Sequence, residues 1–192
     1  MEKVILTGNN LTVEEVWEIA VNGAKVEISA EAQKKLEEAR AFVMDILNSD
    51  TPVYGLNRGV GWNKDRKIEN DDLADFNRKL IYSHTLGITP EASEEEVRAV
   101  MAVRLNTLLC AHTGVDPAVA QRYADFLNAG IHPVMPKRGS VGEADITLCS
   151  HIGLAMMGEG EVNYKGRRVP AAEALKEEGL QPRSSARRTR TP

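Results

Sequence analysis

Residues 93–112, with the sequence SEEEVRAVMAVRLNTLLCAH, decide the fold class of this chain. Ser93 is followed three residues later by Glu96, a capping box of the kind that begins a helix. Apolar residues then recur at steps of three and four residues as far as about His112, which places them on one face of a helix. The stretch therefore predicts a long helix whose apolar face packs in a core.

Similar periodicity on both sides of this helix predicts a mainly α protein with small β pieces. Further helices are predicted after Thr12 and after Ser29, from Leu73 to His84, from Pro117 to about Asn128, from Ile146 to Met157 and just before Gly179. Short strands are predicted at Lys3–Leu6 and on both sides of Lys165 and Gly166. Residues 131–145 are predicted to be a connecting segment. No repeat or linker divides the pattern, so one core is expected.

The composition is that of an ordinary globular chain: of 192 residues, 42% are hydrophobic and 27% are charged. No stretch approaches the ~20 consecutive apolar residues of a membrane-spanning helix, and two isolated cysteines indicate neither disulfides nor zinc. We therefore expect a cytoplasmic protein without a membrane partner. The net charge is −4, but the first 182 residues hold 20 basic and 28 acidic side chains, a net charge of −8. This balance disfavours a nucleic-acid partner, because phosphate neutralisation requires basic side chains.

The glycine-rich stretch TPVYGLNRGVGWN at residues 51–63 is the first candidate for chemistry. A tyrosine in a mobile loop can close over a substrate and act as a base, and Arg58 is a cation that could assist Tyr54. The alternative is a surface loop whose tyrosine only packs its ring. A phosphate-binding loop is disfavoured, because no lysine followed by serine or threonine comes after the glycines.

The second candidate is KRGSVGEAD at residues 137–145, directly before a predicted helix. Its backbone N–H groups could bind an anion at the helix N-terminus. The alternative is that Glu143 and Asp145 simply cap that helix. The four histidines form no HxxxH or HxH pair, so no metal site is predicted. His84 and His151 lie among apolar helical neighbours and are expected to be structural unless a pocket contains them.

Five segments in the same order resemble the histidine/aromatic amino acid ammonia-lyase family over residues 3–182. They are VYGLNRGVG (53–61), KLIYSHTLG (79–87), VRAVMAVRLNTLLCAHTGV (97–115), PKRGSVG (136–142) and HIGLAMMGEGEVNYKG (151–166). The resemblance implies the N-terminal region of the mainly α ammonia-lyase (L-aspartase-like) fold, which carries the active-site loops and precedes a long central helical bundle. It also implies a homotetramer with active sites shared between subunits, and a small amino acid or betaine as substrate.

The same resemblance assigns roles to residues of the candidate site. Tyr54 matches the loop tyrosine that removes the β-proton of the substrate. His84 matches the Ser-His pair of the histidine-type members, which implies an imidazole ring as the substrate side chain. Asn57 and Gly61 keep the loop pattern of the substrate-binding residues, whereas Arg58 and Val60 replace the usual threonine and phenylalanine.

The chain departs from the family after Gly142. Members normally continue with Ala-Ser-Gly, which cyclises and loses water to form the electrophilic methylidene-imidazolone, whereas this chain has Glu143, Ala144 and Asp145. Cyclisation requires the glycine nitrogen and dehydration requires the serine, so we expect neither this prosthetic group nor another cofactor. The substrate must then carry its own leaving group, as in ergothionase, which releases trimethylamine from a 2-thio-imidazole betaine.

Three other interpretations follow from the same residues. One is a histidine ammonia-lyase that forms urocanate and ammonia. Another is a non-catalytic, truncated paralogue that assembles with a full-length lyase. A resemblance to fumarase and argininosuccinate lyase, prompted by GSVG, fails because the longer Gly-Ser-Ser-x-Met-Pro-x-Lys loop is absent.

The resemblance stops near Pro182. Residues 183–192, RSSARRTRTP, contain four arginines and one apolar residue, and we expect this basic tail to be disordered. If residues 1–182 form an incomplete N-terminal domain and the central bundle is truncated, the chain by itself should be inactive.

Overall fold

The computed structural model describes residues 3–47, 49, 51–69, 73–142 and 146–183. Seven helices occur in these ranges: α1 (Val13–Ala20), α2 (Ala30–Leu47), α3 (Leu73–His84), α4 (Glu94–Leu108), α5 (Pro117–Ala129), α6 (Ile146–Met156) and α7 (Ala171–Glu177). The strands of the same ranges are β1 (Lys3–Leu6), β2 (Lys25–Ile28), β3 (Ile88–Glu91), β4 (Ile131–Pro133), β5 (Pro136–Arg138), β6 (Glu161–Tyr164) and β7 (Arg167–Pro170). The mainly α prediction is confirmed. Glu143, Ala144 and Asp145, and residues 184–192 of the basic tail, lie outside the described residues.

Helix α4 forms the centre of the core, as its sequence predicts. The Ser93 hydroxyl accepts a hydrogen bond from the Glu96 N–H at 3.2 Å, and the Glu96 carboxylate accepts one from the Ser93 N–H at 2.7 Å. The buried face of α4 packs between α1 and α5. The predicted end near His112 is wrong: the helix ends at Leu108, because Ala111 takes a left-handed conformation with a φ of 62°, which no α-helix continues.

The strands form three small sheets around this helical core. Strands β1 and β2 pair in parallel, β3 pairs with β5 antiparallel, and β4, β6 and β7 form an antiparallel sheet. The sequence predicted β1, β6 and β7. The interpretation of 131–145 as a connecting segment was incomplete, because β4 and β5 lie within it. Both strands contain proline and pair with residues distant in sequence, so no local alternation of apolar and polar residues predicts them.

The loop between α2 and α3 is held together by the side chain of Asn57. This side chain is only 6% exposed. Its Oδ1 accepts a hydrogen bond from the Val53 N–H at 2.8 Å, and its Nδ2 donates one to the Thr51 carbonyl at 2.8 Å. The Asn57 carbonyl also accepts a hydrogen bond from the N–H of Ile68, which is buried. Asn57 therefore ties both ends of the loop to its middle.

Helix α3 packs against α6 at the edge of the core. No residue of α3, all of which is described, is fully buried. At its outer side, an Arg78 guanidinium nitrogen lies 3.2 Å from a Glu159 carboxylate oxygen, and the Tyr82 hydroxyl donates to the other oxygen of the same carboxylate. Because these polar contacts are exposed, they add little to the packing of α3 against α6.

A buried polar cluster joins α1, α4 and β4. Arg98 is 7% exposed, and it donates hydrogen bonds to the carbonyls of Ile19 at 2.8 Å and Leu127 at 3.0 Å. Its guanidinium also lies 3.3 Å from Nε2 of His132, whose Nδ1 lies 3.1 Å from a Glu94 carboxylate oxygen. A guanidinium can only donate, so Nε2 of His132 accepts and the imidazole is neutral. Burial lowers the pKa of His132, and the Glu94 carboxylate opposes this effect.

Replacing Asn57 with alanine should loosen the loop that carries Tyr54. Asn57→Ala removes two hydrogen bonds from a buried site and leaves the Val53 N–H and the Thr51 carbonyl without these partners, at a cost of about 1–3 kcal/mol. Amide hydrogen exchange of residues 53–61 should accelerate. Asn63→Ala, at an exposed asparagine of the same loop, is the matched control. Equal exchange rates in the two variants would contradict this account.

His132 should make the free energy of unfolding depend on pH. Below about 6.5, the ordinary pKa of histidine, the unfolded chain takes up a proton that the folded chain, with its lowered pKa, does not. The free energy of unfolding should therefore fall as the pH decreases from about 7.5 to about 5.5, as measured by urea unfolding. His132→Gln should show a smaller decrease, whereas His112→Gln, at an exposed histidine, should match the unsubstituted chain. The account fails if His132→Gln retains the full decrease.

Candidate functional site

A cavity of about 500 Å³ lies between the loop of residues 51–69 and the neighbouring parts of α3 and α6. It is lined by Tyr54, Val60, Gly61, Leu80, Ile81, His84, Ile146 and Ser150. Three residues that the sequence nominated from two segments, Tyr54 and Gly61 from one and His84 from the other, thus lie at one cavity. Aliphatic side chains form most of the remaining wall, so the few polar atoms decide what the cavity can bind.

Tyr54 lies in the loop with 64% of its surface exposed. Its hydroxyl oxygen accepts a hydrogen bond from the Gly61 N–H at 3.0 Å. Gly61 has a φ of +56°, a conformation that favours glycine, and this turn aims its N–H at the phenol. The hydroxyl hydrogen of Tyr54 is not used in this bond. The phenolic oxygen is therefore fixed in position while its own proton stays available for exchange with a ligand.

Two other loop residues have roles that the sequence did not reveal. Asn57, predicted to bind substrate, directs its side chain to Val53 and Thr51 and so positions the loop that carries Tyr54. Arg58, the cation proposed to assist Tyr54, donates to the carbonyl of Asn57 at 3.2 Å. Neither side chain is among those that line the cavity.

His84 is the last residue of α3, and its orientation is fixed by its own helix. Its Nδ1 lies 2.7 Å from the Leu80 carbonyl oxygen and 3.1 Å from the Ser83 hydroxyl. A carbonyl can only accept, so Nδ1 carries the hydrogen, and Nε2 of the neutral ring is an acceptor. His84 was expected to be structural unless a pocket contained it. It lines this cavity, so it is a candidate functional residue.

Sequence reasoning missed Ser150 and Ile146, which α6 contributes to the cavity. The Ser150 hydroxyl donates to the Ile146 carbonyl one turn earlier. The sequence showed an apolar helix here, and nothing in its period marks which turn faces α3. His151, the next residue, lies instead at a separate cavity of about 290 Å³, and burial lowers its pKa.

The segment before α6, which was the second candidate for chemistry, forms a turn at Ser140 and Gly142. The Gly142 N–H donates to the Ser140 hydroxyl at 3.0 Å, and Gly142 has a φ of +83°. Glu143 and Asp145, which as an alternative could cap the following helix, lie outside the described residues. The residues at 143–145 do not fit a methylidene-imidazolone, because none is serine or glycine and the ring cannot be built without them.

The described part of the chain offers neither a metal site nor a membrane-spanning helix. In the ranges that the structure describes, no group of three or more His, Cys, Asp or Glu side chains could hold a metal ion. Among the described helices, none has the length and apolar character needed to cross a membrane.

The chain is similar to known lyases over most of its length. A histidine ammonia-lyase of Geobacillus sp. (strain WCH70) is 43% identical over 180 residues, which are 93% of this chain and 35% of that protein. A histidine ammonia-lyase of Myxococcus xanthus is 38% identical, over 94% of this chain and 36% of that protein. The chain therefore spans about a third of the length of these relatives.

Solved structures show the same fold. The ergothioneine-degrading enzyme ergothionase of Treponema denticola, solved with desmethyl-ergothioneine sulfonic acid, superposes with a TM-score of 0.93 at 45% identity, over 95% of this chain and 37% of that one. Histidine ammonia-lyase of Trypanosoma cruzi superposes with a TM-score of 0.88 at 32% identity, over 96% and 36%. The fold is thus the N-terminal part of the ammonia-lyase fold. The profile of the family described as aromatic amino acid lyase matches residues 11–188, and the chain belongs to this family of carbon–nitrogen lyases.

Proposed function

We propose that this chain is the N-terminal part of a lyase that breaks a carbon–nitrogen bond in an imidazole-bearing amino acid or betaine without a methylidene-imidazolone. In this proposal the lyase resembles ergothionase and releases trimethylamine, and residues 1–182 by themselves are inactive. The observation that carries the proposal is the cavity that Tyr54 and His84 share, together with a sequence that has Glu143, Ala144 and Asp145 in place of Ala-Ser-Gly. The 45% identity to ergothionase supports it.

The absence of serine and glycine at residues 143–145 restricts the substrate. An α-amino group is a poor leaving group without an electrophile to take up its electrons. A trimethylammonium group leaves as neutral trimethylamine, so it needs no such help. A 2-thio-imidazole ring attached to the β-carbon spreads the negative charge that develops there, which makes the β-proton easier to remove. A betaine with both features therefore carries its own activation.

Tyr54 is the base in this proposal. Tyr54, which is 64% exposed, first loses its hydroxyl proton to solvent. The phenolate oxygen then takes the β-proton, the electrons of the C–H bond form the new C=C bond, and the electrons of the C–N bond leave with trimethylamine. Gly61 fixes the oxygen through its N–H. His84 lines the same cavity and is assigned to the ring end of the substrate.

Two alternatives are kept because specific observations favour them. A histidine ammonia-lyase that forms urocanate is favoured by the 43% identity to a relative of that name. A non-catalytic paralogue that assembles with a full-length lyase is favoured by two exposed apolar side chains: Trp62 is 99% exposed and Val141 98%. Assembly of the intact protein as a homotetramer and its location in the cytoplasm belong to the same proposal.

The activity can be tested by placing residues 3–182 in the position of the equivalent third of the Treponema denticola ergothionase. This chimera should release trimethylamine from ergothioneine, whereas the 192-residue chain alone should release none. Tyr54→Phe in the chimera should lower the rate by about 100-fold or more, because the base is lost. Trimethylamine is measured directly, with urocanate absorbance recorded in parallel on histidine.

Tyr82→Phe is the matched control, because Tyr82 contacts Arg78 and Glu159 at the surface, outside the cavity. It should leave the chimera's rate within about twofold, as expected for one exposed hydrogen bond. Urocanate from histidine without trimethylamine would establish the ammonia-lyase alternative. An equal rate with Tyr54→Phe would reject Tyr54 as the base.

The missing prosthetic group can be tested on the purified chain itself. Its intact mass should equal the mass calculated from the sequence, because residues 143–145 cannot cyclise. The peptide that contains these residues should likewise have its unmodified mass after proteolysis. A deficit of two water molecules in that peptide would show that an internal ring had formed and would overturn this part of the proposal.

A further inference from the structure

A cavity of about 420 Å³ lies between the end of the Tyr54 loop and the first two turns of α3. The residues that form most of its wall are Arg66, Lys67, Ile68, Asp75, Phe76 and Lys79. Of the described residues, none lines both this basic cavity and the cavity of Tyr54 and His84. The same loop and the same helix nevertheless build both cavities.

Cationic side chains outnumber carboxylates in the basic cavity. Three cations line it, on Arg66, Lys67 and Lys79, whereas Asp75 supplies the one carboxylate among the described lining residues. This excess is local, because residues 1–182 hold 20 basic and 28 acidic side chains. A concave surface lined by one sign of charge concentrates the electrostatic field and raises the local concentration of ions of the opposite sign. The basic cavity should therefore attract anions.

The guanidinium of Arg66 is available to such an anion. Its side chain is exposed, and it forms neither an ion pair nor a hydrogen bond with any other described residue. The backbone of Arg66 is fixed, since its N–H donates to the Asn63 carbonyl at 3.0 Å and its carbonyl accepts from the Gly59 N–H at 2.9 Å. A guanidinium presents two parallel N–H donors, which match two oxygens of one oxyanion.

The two lysines are held only by exposed ion pairs. Lys79 Nζ lies 2.6 Å from an Asp75 carboxylate oxygen, and Lys67 Nζ lies 3.3 Å from a Glu69 carboxylate oxygen. All four of these side chains are more than half exposed. Exposed ion pairs contribute little to stability, so either lysine can turn to a bound anion at small cost.

We propose that the basic cavity is a binding site for a small divalent oxyanion of the phosphate or sulfate type, which contacts Arg66 and Lys79 and ties the end of the Tyr54 loop to α3. A divalent anion matches the two cations by which the lining exceeds its carboxylate. The Ile68 N–H donates to the Asn57 carbonyl at 3.1 Å, so the tie reaches the residue that holds the Tyr54 loop in shape. Binding at this site therefore restrains the loop, whichever substrate the first cavity takes.

Titration of the 192-residue chain with inorganic sulfate, followed by NMR, tests the site directly. Amide signals of the described residues between 59 and 79 should shift and reach saturation, with a dissociation constant of about 10 mM or less. Inorganic phosphate should shift the same signals. Sodium chloride at equal ionic strength is the control for charge screening and should not reproduce these shifts.

Substitutions should separate the site from the general charge of the chain. Arg66→Gln and Lys79→Gln should each weaken sulfate binding by about fivefold or more, as expected when a charge-assisted hydrogen bond is lost. Lys64→Gln is the matched control, because Lys64 is an exposed cation of the same loop that does not line the cavity. It should change the dissociation constant by less than about twofold, since exposed charges outside a contact are screened.

Amide hydrogen exchange tests the link to the Tyr54 loop. Sulfate at about 20 mM should slow exchange in residues 53–68 of the unsubstituted chain and should not do so in Arg66→Gln. Exchange in α5 is the internal reference, because sulfate at high concentration also stabilises folded proteins as a whole.

Three results would overturn the inference. They are the absence of saturable binding, equal weakening by Lys64→Gln and Arg66→Gln, and binding that leaves the exchange of residues 53–68 unchanged relative to α5. None of them depends on the release of trimethylamine. An inactive chimera would therefore bear on the proposed reaction alone, and an unoccupied basic cavity on this inference alone.

Discussion

The packing of α3 against α6 is the constraint on which the candidate site depends. It brings His84 and Ser150, which are 66 residues apart in the sequence, to one cavity, and the loop that carries Tyr54 forms another wall of that cavity. No residue of α3 is fully buried, so the helix packs on α6 through half-buried apolar side chains such as Ile81, which lies against Gly153. The exposed contacts of Arg78 and Tyr82 with Glu159 add little to this packing.

The loop completes the cavity through a division of roles. Both polar atoms of the Asn57 side chain form hydrogen bonds with the backbone of Val53 and Thr51, and these bonds give the loop a defined shape. Gly61 supplies the N–H that fixes the Tyr54 oxygen, and only a residue that tolerates a φ of +56° does this without strain. A tyrosine that is largely exposed can thus still have a fixed oxygen, which the proposed role of Tyr54 as a base requires.

The sequence predicted the parts of this arrangement that depend on neighbouring residues. Capping boxes at Thr12 and Ser93 marked two helix beginnings, and periodicity located α2, α3 and α5. It placed the end of α4 too late, because the apolar pattern continues past Ala111 although the backbone turns there. It also missed β2 to β5 and Ser150. Strands β3 and β5 pair across more than 40 residues, and the importance of Ser150 depends on which turn of α6 faces α3. Neither property is encoded in local spacing.

The residues at 143–145 bear on the leaving group of the proposed substrate. Because none of them is serine or glycine, they cannot form the methylidene-imidazolone that would activate an amine. A quaternary trimethylammonium group keeps its positive charge and leaves as neutral trimethylamine, so the proposed betaine does not need that group, whereas elimination of ammonia from histidine would need it. The choice between the proposed betaine lyase and the histidine ammonia-lyase alternative therefore depends on these three residues more than on the cavity that Tyr54 and His84 share.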